Sequence, residues 1–64
     1  MKPGEVWKFK SVWYPEAKTF TIRLLHYEGG DNWMAIVVPA SVENKPYKTN
    51  ISGKWIYENC RRIV

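Results

Sequence analysis

The 64-residue chain has one cysteine, Cys60, and one histidine, His26. A lone cysteine forms no internal disulfide, which points to a reducing, cytoplasmic setting. No Cys/His set has the spacing of a zinc site, so no metal is expected to staple the fold. No glycine-rich loop precedes a helix in the way that cradles phosphate. The longest mostly apolar run, residues 33–40, is far short of the ~20 residues a membrane-spanning helix needs. Nothing behind the first five residues resembles the apolar region of a signal peptide. Together these absences exclude a disulfide scaffold, a zinc-held fold and a helical membrane anchor.

Catalytic constellations are missing too. Catalysis needs a positioned nucleophile or an acid–base pair. His26 stands alone, and Glu5, Glu16, Glu28, Asp31, Glu43 and Glu58 are scattered, mostly beside turns; each reads as solvated surface charge. Cys60 is followed by Arg61 and Arg62, which would lower a thiol pKa, but a small hydrophobe near the C-terminus is the expected role. The chain reads as non-enzymatic, with no cofactor and no metal.

What is present in quantity is aromatic side chain: four Trp, four Tyr and two Phe. A domain of this length buries only about 60% of the surface of its extended chain, and each buried aromatic removes roughly 150–250 Å² from water. The rings therefore supply the core of one domain, residues 1–64. The net charge of +4 favours anionic partners weakly and serves equally to keep a small protein from self-associating.

The organising stretch is residues 19–39, two β-rich runs around Glu28-Gly29-Gly30-Asp31-Asn32. Glycines that accept positive φ allow the chain to reverse there as a hairpin. Its first arm, residues 19–27, places Phe20, Ile22 and Leu24 on one face; the adjacent Leu24 and Leu25 break the alternation, and a bulge or a bend there would turn both toward the core. Its second arm, residues 32–38, is apolar on both faces, so periodicity does not say which side is inward. Residues 5–10 alternate with Trp7 and Phe9 inward. Residues 11–18 contain Pro15 and read as a loop bearing Trp13 and Tyr14, with Trp13 either folded back as a lid on one end of the fold or exposed for a partner. Residues 47–51 form a fourth strand. Residues 54–59 are too short for an independent helix and suit a single 3₁₀ turn that drops Trp55 or Ile56 into the core. Residues 60–64 return as a last strand beside the first, covering its edge.

This order resembles the SH3-like small β-barrels. The resemblance rests on Gly4-Glu5-Val6-Trp7-Lys8-Phe9, similar to the opening of many bacterial and phage SH3-like domains, and on residues 51–63, similar to their closing turn and strand. It implies an all-β fold: a five-stranded SH3-like small barrel with a single 3₁₀ turn before the last strand. The Ala-Leu-Tyr-Asp-Tyr run and tandem-Trp pocket of eukaryotic signalling SH3 domains are missing, so proline-peptide recognition is not implied. The glycine loop of the KOW type is missing as well. In length and composition the chain is similar to small phage or prophage proteins.

Two binding functions follow. The first is a protein partner, or self-association, through surplus aromatics that one small core does not absorb: Trp13, Tyr14, Tyr47 and Tyr57, with Trp13 and Tyr14 as anchors. The alternative is nucleic acid, bound through Lys8, Lys10, Arg23, Lys54, Arg61 and Arg62 interleaved with aromatics, as small barrels bind single strands. Aromatic area signals contact more reliably than dispersed charge, which favours the protein partner.

Overall fold

Gly29 and Gly30 reverse the chain with φ of 95° and 56°, conformations that a side chain would strain. They join β2 (Thr21–Gly29) to β3 (Asn32–Val38). Gly29 pairs with Asn32 across the two-residue turn Gly30-Asp31. Positive φ at the first central residue alone is the type II′ pattern, whose twist matches that of the flanking strands. A computed structural model describes residues 1–13, 18–41 and 43–64. Around the hairpin it places β1 (Val6–Phe9), β4 (Tyr47–Ser52), α1 (Gly53–Asn59) and β5 (Cys60–Arg62). Neighbouring strands are all antiparallel, in the order β4-β3-β2-β1-β5. The last strand returns beside the first, as expected.

Alternation decides the core. Trp7 on β1, Ile22 and Leu24 on β2, and Trp33, Ala35 and Val37 on β3 face inward and are buried with Ile56 and Cys60. The inward side of β3, open from the sequence, is therefore the one carrying Trp33. The β2–β3 register skips Leu25, so the stumble at Leu24-Leu25 is a bulge. Leu24 is fully buried, whereas Leu25 is only half-buried.

Two expectations are corrected. The five strands make one open sheet, not a closed barrel, because β4 and β5 are its edges and do not pair. Between these two edges the chain runs through α1, which also touches β1. The segment before β5 is also a seven-residue α-helix, not a single 3₁₀ turn. A helix this short does not nucleate alone; tertiary contacts hold its first turn, and local bonds close its last. The first N–H groups of a helix lack internal partners. Here Gly53 N–H donates to the Asp31 carbonyl at 2.7 Å, Lys54 N–H to the Asp31 carboxylate at 3.1 Å, and Trp55 N–H to Ser52 Oγ at 3.2 Å. The Ser52 hydroxyl in turn donates to Asp31. At the other end the Cys60 N–H reaches the Ile56 carbonyl, and Asn59 Nδ2 donates to the Trp55 carbonyl at 2.9 Å. The tip of the β2–β3 hairpin thus caps α1.

Gly53 permits that approach. A Cβ there would lie 3.0 Å from Asp31 Oδ1 and 3.3 Å from Trp33 Cδ1. Alanine is normally better than glycine inside a helix by about 1 kcal/mol, but overpacking of this kind costs about 1–3 kcal/mol. Gly53→Ala is therefore expected to destabilise the protein by about 1 kcal/mol net; a gain in the urea midpoint would contradict the packing argument.

The same cap predicts a pH effect. The Ser52 hydroxyl and the Lys54 N–H hold the Asp31 carboxyl below its usual 3.8. A carboxylate whose folded pKa is depressed adds stability above its unfolded pKa and loses it as pH falls through the folded one. Thermal midpoints are therefore expected to fall as pH drops below 3.8. Asp31→Asn should lower the midpoint at neutral pH and flatten that acid limb. An unchanged limb in the variant would show that Asp31 does not cap α1.

Candidate protein-binding surface

The inner face of the sheet ends in aromatic rings where β1 leaves it and β2 enters. Phe9 closes β1, Phe20 stands directly before β2, and the Phe9 N–H donates to the Phe20 carbonyl at 3.1 Å. Trp55 approaches from α1. The centroids are 4.8 Å (Phe9–Phe20), 5.9 Å (Phe9–Trp55) and 6.5 Å (Phe20–Trp55) apart, and the planes lie within 14° of parallel. Three such distances describe a near-equilateral triangle rather than a column, so each ring keeps an outward edge. Phe9 and Phe20 are half-buried, and Trp55 is exposed. Ring pairs of this kind contribute about 0.5–1.5 kcal/mol beyond area burial, enough to hold α1 in place while leaving apolar surface in water.

The loop that begins after Phe9 and ends before Phe20 carries Val12 and Trp13, which are 93% and 85% exposed. The Trp13 N–H donates to Ser11 Oγ at 3.1 Å, a local turn that starts the loop. Trp13 makes no ring contact among the described residues, so it does not fold back as a lid on the core.

The other proposed anchors are placed apart. Tyr14 lies outside the described residues. Tyr57 is 73% exposed on α1, two residues from Trp55 and hence on the opposite flank of the helix, where it leans on Trp7 at 6.5 Å. Tyr47 opens β4 and pairs with Val37, three strands from β1. Among the described residues Trp13, Tyr47 and Tyr57 therefore stand on three different segments, with no ring contact between them. The sequence places the rings of the triad inward, because alternation marks Phe9 and Phe20 as inward and says nothing about where the inner face ends.

The basic residues divide as well. Arg62 Nη1 meets Glu5 Oε2 at 3.1 Å, and Lys54 Nζ meets Glu58 Oε1 at 3.9 Å. Lys10 follows β1, and its N–H donates to the Asn59 carbonyl. Register puts Arg61 opposite Lys8, and Arg23 opposite Val6, on the face turned away from the core. Glu5 also accepts from the Trp7 indole at 3.1 Å. Burial pushes its carboxyl up, but the Trp7, Lys2 and Arg62 donors outweigh this and hold it below the ordinary value.

The reactive side chains are inert or engaged. Cys60 is buried, and burial pushes its thiol up to about 11 against the opposing pull of Lys10, so it is neutral at physiological pH and packs as a hydrophobe. His26 is exposed and meets Glu28 at 3.0 Å. Among the described residues no three His, Cys, Asp or Glu side chains gather as metal ligands, and no helix is long and apolar enough to cross a membrane. Comparison of the chain with protein-family models, with curated proteins and with solved structures finds no match in any of the three.

Proposed function

We propose that the protein is a small non-enzymatic binding module of SH3-like architecture that acts stoichiometrically on a protein partner. The contact surface is Trp13 together with the Phe9–Phe20–Trp55 triad. The observation that carries this reading is an indole 85% exposed on the loop whose two ends carry two rings of the triad. Protein interfaces are enriched in Trp and other aromatics, and exposed apolar patches mark contact sites. The SH3-like part is supported by the strand order β5-β1-β2-β3-β4 and by a short helix before the closing edge strand. The similarity to short phage proteins makes a host protein the first partner to seek, with a second copy of the chain as the other protein candidate.

The test is affinity capture from a native lysate treated with nuclease, using the wild-type chain and a Trp13→Ala chain as parallel baits. The expected result is a protein retained stoichiometrically by the first bait and lost from the second. Recovery of no such protein, with monomeric elution at high concentration, would overturn the reading.

A further inference from the structure

The outer face of the sheet differs in chemistry from the inner one. Cross-strand partners share a face, and so do alternate residues of one strand. Val6, Arg23, Ile36 and Lys48 stand in one row across four strands, and Lys8 is two residues along β1 from Val6. All lie opposite Trp7, Ile22, Leu24 and Val37, so this face points away from the core. Arg23 and Lys48 are exposed and have no ion-pair partner among the described residues; Lys8 is half-buried, with Nζ 3.5 Å from the Thr19 carbonyl. Four of the six carboxylates are engaged away from this face: Glu5 with Arg62, Glu28 with His26, Glu58 with Lys54, and Asp31 with the α1 cap. Arg23 and Lys48 therefore leave positive charge on this face that no described carboxylate balances through an ion pair.

We propose that this outer face binds the phosphate backbone of double-stranded nucleic acid through Lys8, Arg23 and Lys48. Charge complementarity selects a polyanion. Three inter-strand steps and a two-residue offset separate Lys8 on β1 from Lys48 on β4, about 16 Å at the usual strand spacing and rise, enough to span the about 12 Å width of the major groove of B-form DNA. The duplex is favoured over a single strand because single-strand binders stack bases on aromatic rings. The inward-facing register of the strand aromatics leaves aliphatic residues such as Val6 and Ile36 between the cations. Contacts confined to phosphate carry no sequence information, so binding is independent of sequence.

The surface lies on the side of the sheet opposite the triad, which makes it separable from the protein-binding reading. The test is fluorescence anisotropy with a labelled mixed-sequence DNA duplex, with a single strand of the same sequence and anionic phospholipid vesicles as parallel probes. Three neutralised phosphates predict a slope of log K against log salt of about −2.7, so affinity for the duplex falls about fortyfold between 50 and 200 mM salt. Arg23→Gln and Lys48→Gln are surface changes that leave the fold intact, and each should reduce the slope magnitude by about 0.9. Trp13→Ala should bind the duplex as wild type does. A salt-independent signal, variants that keep the full slope, or tighter binding to single strand or vesicles than to duplex would each overturn the proposal.

Discussion

Replacing Ile56 by alanine is expected to remove about 2–5 kcal/mol of folding stability, the range found when a fully buried Ile or Leu is cut to alanine. Ile56 has no exposed surface, and of the residues of α1 only it and Gly53 are buried. A chain of 64 residues has a total stability of about 3–10 kcal/mol at the usual per-residue value, so this one change removes a large share of it. The cavity would open where α1 meets the sheet, between the flank holding Trp55 on Phe9 and Phe20 and the flank holding Tyr57 on Trp7. Urea unfolding followed by tryptophan fluorescence reads the effect directly. A loss below about 1 kcal/mol, the level of an ordinary surface change or less, would mean that α1 is not anchored through Ile56. Tyr57→Ala supplies the contrast: the side chain is 73% exposed, and its removal should shift the midpoint far less.

Trp13→Ala is expected to leave stability unchanged and to cost about 2 kcal/mol or more of affinity for the protein partner, roughly thirtyfold in Kd. The side chain is 85% exposed and makes no ring contact among the described residues, so truncation removes almost no packing from the folded state. In a complex the same indole would desolvate against the partner, and buried Trp anchors dominate such interfaces. Trp55→Ala is the informative companion. It breaks the ring triad, so it should lower both stability and affinity. Binding titrations and thermal melts on the two variants separate the cases. If Trp13→Ala lowers the thermal midpoint by several degrees, Trp13 is part of the fold and not a free anchor.

Much of the fold was legible because the signals are local. A pair of glycines between two β-rich runs specifies the hairpin, and the doubled leucine marks where its first arm departs from alternation, with no information from distant residues. The site was less legible. Trp13 stands in a loop beside Pro15, and a large ring there already suggests contact. Phe9 and Phe20 read as interior because alternation reports which face a residue is on, not how far that face extends. The rings proposed to join Trp13, namely Tyr47 and Tyr57, share its chemistry but sit on β4 and on the far flank of α1. The cations were similarly pooled by type; only pairing separates Arg62, bound to Glu5, from Arg23 on the other side of the sheet.

The amino-acid order alone determined a mostly β fold, the reversal at Gly29-Gly30, the inward faces of β1 and β2, and the return of the final strand to β1. Each depends on φ preferences, on alternation, or on the need to cover an edge, and these act over a few neighbouring residues. The tertiary structure alone decided that the segment before β5 is α-helical, that the sheet stays open, and which rings and charges share a surface. Those outcomes depend on partners far apart in the chain. Asp31 caps a helix that begins at Gly53, and cross-strand register sorts residues that no window along the sequence contains.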